Sequence, residues 1–260
     1  MSRPMLVQAT AGGPHPFPLP HALVMDVGRI TEMAGIHRQG GEISVGVNSN
    51  WMGLAHSSLL QPGAAALADA ADMMEKEQPG GVLLHALHEE RPDSPILLAL
   101  AALDAQIEFA VRDSNAGIKR QSLPWQQALR NPPEQPHLPL CIRFSLPFWA
   151  AGSALHQEDN ISPLQPDARR VAILVIIDSD SGQIAKIRLA LAQPGRLPYI
   201  CPTINKVTGK KPEPHIIEEA VLLAQPCQQK LNTDYALVLS SHLIREALDR
   251  ALARAQAPAR

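Results

Sequence analysis

His85, His88, Glu89 and Glu90 set imidazole and carboxylate groups at i, i+3 spacing, which on a helix could hold a divalent cation. No other ligand type converges on them and a proline-bounded loop follows, so a solvated surface is the favoured reading and no metal site is expected. The segment 207–211, VTGKK, has the look of a phosphate loop, but Ile204 stands where the upstream glycine is needed and no Ser or Thr follows the lysine. Ser240, Ser241 and His242 are adjacent on an amphipathic helix, where neighbours diverge around the axis, so they do not make a nucleophile and its base. Cys141, Cys201 and Cys227 stand singly, without a CxxC pair, which argues against a zinc ribbon or an iron–sulfur site held by this chain alone. An odd, sparse cysteine count suits a reducing cytoplasm better than a disulfide framework. No catalytic residue emerges from these groups.

The elements that would position any site are those of an ordinary globular protein. Of 260 residues, 45% are hydrophobic and 18% charged, enough for a sizeable core in one or two domains. A formal net charge of −2 argues against nucleic-acid binding. No apolar run approaches a membrane span, and the N-terminal stretch has no sustained apolar region of the kind a secretory signal needs.

Prolines punctuate the chain. Residues 14–20, PHPFPLP, exclude a helix or central strand. Strands are expected over 22–30, over 41–47 with Ile43, Val45 and Val47 alternating, and over 106–111. Helices are expected over the alanine-rich 63–74 and over 95–103, where Pro95 occupies the first turn. The proline-dense 130–139 reads as a domain boundary, with separate cores on either side. Beyond it, 141–147 suggests a strand, 171–178 a strong β run, and 186–192 its antiparallel partner. Two helices follow, near 213–223 and from Asp234 to about Arg254. The fold class is α+β in two parts, residues 1–135 and 136–260.

Several segments resemble the FAD-binding medium subunit of molybdenum hydroxylases, the family of carbon monoxide dehydrogenase and xanthine dehydrogenase. LVMDVGRITEMAGI, GEISVGVNSNWMGLAHSSLL and SPILLALAALDAQIEF resemble successive pieces of the flavin domain. RRVAILVIID, KIRLALA and DYALVLSSHLIREALDRAL are similar to the C-terminal domain of the same subunits, and the set runs in the family's order. The resemblance implies an FAD-binding domain, shortened at its N-terminal side, followed by a small antiparallel sheet with helices. It also implies FAD as cofactor, electron transfer, and partner subunits carrying iron–sulfur clusters and the molybdenum cofactor.

A flavin pyrophosphate needs backbone N–H groups from glycine-rich loops. The family's two loops match Gly12-Gly13 and Gly80-Gly81 here, but Pro14 follows the first pair and Pro79 and Val82 flank the second. The family's strand–helix unit ahead of the first loop is expected to be missing, and Gly80-Gly81 reads better as a helix-terminating turn than as a phosphate loop. Asp93 lies beside Pro95, where the family often has an acidic residue for the flavin. In the C-terminal part, Gln157-Glu158-Asp159-Asn160-Ile161 replaces a basic cluster. The reading is a cytoplasmic medium-subunit-like protein with a structural or docking role and weak or absent FAD binding. The alternatives are a genuine FAD-binding electron-transfer subunit and a stand-alone binding or assembly protein on the same scaffold.

Overall fold

The run Val171 to Ile177 is apolar at nearly every position, and the structure, a computed structural model, shows why. It describes residues 5–8, 23–27, 30–88, 92–113, 117–147, 150–158, 169–193, 195–229 and 235–257. Three strands open the chain's order: β1 (Met5–Gln8) pairs parallel with β2 (Leu23–Asp26), and β3 (Ile36–Gln39) follows. Next come β4 (Glu42–Gly46), helix α1 (Trp51–Ala55) and helix α2 (Ala65–Glu77). Helices α3 (Leu83–His88) and α4 (Pro95–Leu103) lead into the hairpin β5 (Gln106–Asp113) and β6 (Gly117–Pro124). Helix α5 (Trp125–Arg130) precedes β7 (His137–Ser145). A meander of β8 (Ala151–Glu158), β9 (Arg169–Ile177), β10 (Ile184–Gln193) and β11 (Arg196–Cys201) then gives way to α6 (Pro214–Gln229) and α7 (Tyr235–Gln256).

Two larger sheets result. One has the order β3-β4-β7-β5-β6 and the other β11-β10-β9-β8, each antiparallel throughout. The second sheet is covered on both faces. Along β9, Ala172 and Leu174 join the core that α2 and α4 line, while Val171, Ile173 and Val175 join the core of α6 and α7. Strict alternation sends successive side chains to opposite faces, so a strand buried on both sides must be apolar at every position. Helix α4 obeys the same rule in helical form. All nine of its residues are buried, Ser94 caps its N-terminus and Pro95 fills its first turn.

This arrangement moves the expected division of the chain. Strand β7 follows the proline-rich stretch, yet it pairs with β4 and β5 in the first sheet. The exchange between sheets therefore falls after Ser145 rather than at 135. Leu155, Ala172, Leu174 and Ala190 belong to the same core as α2 and α4, so the two parts share a core where separate cores were expected. A short strand precedes the first glycine pair: β1 ends at Gln8, four residues before Gly12.

The cysteine expectation is likewise corrected. Cys201 and Cys227 are joined in a disulfide, with their Cα atoms 5.7 Å apart, and Cys141 is buried and free. Spacing in sequence gave no sign of this, because the pairing depends on α6 folding back over the end of β11. Among the described residues, no helix is long and apolar enough to cross a membrane.

Helix α7 is held against β8 and α2 by complementary shape and charge. A Cβ on Gly152 would stand 2.0 Å from the Ala251 carbonyl oxygen and 2.4 Å from the Ala255 nitrogen. Arg254 grips both oxygens of Asp69, at 2.8 and 2.9 Å, and donates to the Ser153 carbonyl at 2.6 Å. Asp69 also accepts from the Leu155 N–H at 3.0 Å, so one carboxylate ties α2, β8 and α7 together. Gly152→Ala forces backbone against backbone, and we expect it to lower unfolding free energy by at least about 2 kcal/mol in urea titration. A loss below about 0.5 kcal/mol would show that α7 does not pack this closely.

Candidate functional site

Gly80 and Gly81 sit where α2 ends. Gln78 closes the helix by donating to the Met74 carbonyl at 2.7 Å, and Gly80 adopts φ +76°, a left-handed conformation that glycine reaches without strain. The chain then runs back along the loop after β4. Trp51 donates its N–H to the Gly81 carbonyl at 3.1 Å, Leu83 donates to Ser49 at 3.0 Å, and Leu84 donates to Val47 at 2.7 Å.

Both glycine N–H groups donate within the chain. The Gly80 N–H points to the Glu75 carboxylate at 3.2 Å, and the Gly81 N–H to the Gln78 carbonyl at 3.3 Å. Glu75 brings negative charge to the turn, and the C-terminus of α2 adds the negative end of its dipole. The indole of Trp51 lies against Gly81, where a Cβ would come within 2.2 Å of Nε1. Trp51 is fully buried, and its Nε1–H finds no acceptor among the described residues. The glycines of the turn serve a helix stop and a seat for tryptophan.

The other expected site residues lie elsewhere in the chain or beyond the described residues. Gly12 and Gly13 fall outside the described residues. Asp93 is half-buried and stands one residue before Ser94, the N-cap of α4, where a negative charge is favourable for the helix itself. Glu89 and Glu90 also fall outside, while His85 is half-buried on the short helix α3. Among the described residues, no group of three or more His, Cys, Asp or Glu side chains is arranged to hold a metal ion. Lys210 of the VTGKK turn is paired with Glu219 at 2.6 Å, and His242 with Glu246 one helical turn away at 3.1 Å.

The acidic stretch that begins at Gln157 does not stand alone. Glu158 is in register with Arg169, and Gln157 with Arg170. The Arg170 guanidinium donates to the Gln157 side chain at 2.6 Å and to Glu77 at 3.0 Å. Asp159, Asn160 and Ile161 lie outside the described residues.

Two features were not legible in sequence. Glu75 reaches Gly80 from the last turn of α2, and Trp51 meets Gly81 because the loop after β4 folds onto the end of that helix. A cleft of about 580 Å³ opens beside β6 and α5, lined by Gln121, Gln127, Arg130, Asn131, Glu134 and Gln135 among others. The proline-dense stretch read as a boundary forms one wall of it. The lining is polar, and it contains neither of the glycines of the α2 turn nor Asp93.

No protein-family model matches the sequence, and no curated protein matches it. Solved structures do. A chain of reconstituted CO dehydrogenase from Oligotropha carboxidovorans is similar with a TM-score of 0.70 and 17% identity, over 90% of this chain and 83% of that one. A chain of the Hydrogenophaga pseudoflava carbon monoxide dehydrogenase that lacks the Mo-pyranopterin moiety gives 0.69 and 20%, over 92% and 84%. Quinoline 2-oxidoreductase from Pseudomonas putida 86 gives 0.63 and 18%, again over 92% and 84%.

Substitution separates the two glycines. Gly81→Ala drives a methyl into the Trp51 indole and is expected to cost about 1–3 kcal/mol of stability. Gly80→Ala meets open space and pays only for its positive φ, about 1–2 kcal/mol. Thermal denaturation of the double variant Gly81→Ala, Trp51→Phe checks the contact. If Trp51→Phe rescues none of the loss, the indole is not what holds Gly81. At these identities it is the fold that is established, and it is the α+β fold of these carbon monoxide dehydrogenase and quinoline oxidoreductase chains.

Proposed function

We propose that this chain is a medium-subunit-like protein of a molybdenum hydroxylase-type complex, acting as a structural or docking subunit with weak or absent FAD binding. The fold likeness supports the first part. One observation carries the second: the Gly80 and Gly81 N–H groups donate within the chain, to Glu75 and Gln78, and leave no donor from either glycine for a pyrophosphate. A flavin at this turn would have to displace a carboxylate and a helix-closing bond, at the negative end of α2. Iron–sulfur and molybdenum-cofactor subunits are the partners this reading implies.

A second reading, a genuine FAD-binding electron-transfer subunit, draws support from β1. That strand ends just ahead of Gly12-Gly13 and pairs parallel with β2, which is the kind of supporting element a phosphate loop requires. The third, a stand-alone binding or assembly protein on the same scaffold, would account for a chain that is soluble and monodisperse without co-expressed partners. The visible absorption spectrum of the purified chain, after incubation with FAD and gel filtration, separates the second reading from the first. We expect no stoichiometric flavin band. A yellow protein with one FAD per chain would overturn weak binding, and release of that FAD by Gly12→Asp would establish the second reading.

A further inference from the structure

Helix α6 carries Pro226 in its interior. Proline has no N–H for the Leu222 carbonyl, and its ring crowds that carbonyl, so the helical ladder is interrupted one turn before its end. What fixes the turn beyond it comes from outside the helix. Cys227 is bonded to Cys201 at the end of β11, across a sequence separation of 26. Thr203, in the short 3-10 helix after β11, donates its hydroxyl to the Leu223 carbonyl. The same Oγ1 lies 3.2 Å from the Cys201 sulfur and 3.3 Å from the Cys227 sulfur. Both cysteines are buried, at 1% and 3% exposure, while Pro226 is exposed.

We propose that the Cys201–Cys227 disulfide is a redox-responsive clamp that holds the last turn of α6 against the end of β11. Two bonded sulfurs sit about 2 Å apart, whereas two thiols in contact need about 3.5 Å or more. Reduction therefore pushes the sulfurs apart by over an ångström within a packed core. Cys201 ends a strand bonded to β10, while Cys227 lies beyond the break at Pro226, so the helix end moves. The reductant is a dithiol. One of its thiolates attacks a sulfur of the bridge to form a mixed disulfide, and its second thiol resolves that bond. Two electrons and two protons pass to Cys201 and Cys227 as thiols, and the reductant leaves as a disulfide. Access to the buried bond comes by local opening of the turn that proline weakens.

Hydrogen exchange read by mass spectrometry on the full chain, oxidised and then reduced with dithiothreitol, tests this. We expect peptides covering 222–229 to exchange at least about tenfold faster after reduction, with β9 peptides unchanged. The midpoint of thermal unfolding should fall by roughly 7–14 °C. Cys201→Ser should reproduce both effects without reductant, and Pro226→Ala should slow exchange in the reduced chain by restoring the ladder. Equal exchange over 222–229 in both redox states would overturn the proposal. So would three titratable thiols in the denatured, unreduced protein after air oxidation, or a reduction that accelerates β9 as much as α6.

Discussion

The sheet β8–β11 must be dry on both faces, and most of the remaining architecture answers that requirement. A sheet with one wet face would tolerate polar residues at every second position. Here β9 sends Ala172 and Leu174 one way and Val171, Ile173 and Val175 the other, and each set needs a helical cover. One cover is α6 with α7, which the chain supplies directly after the strands. The second is α2 with α4, supplied by the segment between β4 and β5, which shares its core with the five-stranded sheet as well. Because the covers come from opposite ends of the chain, the two parts cannot be separated without exposing a core face.

That constraint explains what was legible in sequence. The continuous apolar runs of α4 and β9 mark them as buried elements, β10 reads as the antiparallel partner of β9, and the α+β class follows from them. The short edge pieces were not readable. Strand β6, with Lys119, Arg120 and Gln121 exposed or half-buried at the sheet edge, carries no apolar alternation to betray it. Strand β8 is broken in pattern by Gly152, which is there because α7 approaches the backbone too closely for any side chain. The boundary at 130–139 failed for a related reason: prolines mark where regular pairing is interrupted, and β7 resumes the same sheet on the other side.

For the candidate site, sequence supplied the glycines but not their surroundings. A glycine pair has the same letters whether it offers N–H groups to a ligand or turns them inward. The decision rests with Glu75, five residues before Gly80, and with Trp51, thirty residues before Gly81 and brought there by the loop after β4. The likeness in fold and the inward-turned loop are compatible. Burying α4 and β9 is what preserves a fold, and nothing in that core requires a ligand at the end of α2.

The two-sided sheet also sets an order of events during synthesis. Helix α4, with nine consecutive buried residues, leaves the ribosome well before β9 and β10, the strands it must cover. Until those strands emerge, its apolar surface has only α2 and the first sheet to shelter against. The nascent chain therefore passes through a stage in which an unpaired hydrophobic helix is exposed, and its yield in the cell depends on what guards that helix as much as on the stability of the finished fold.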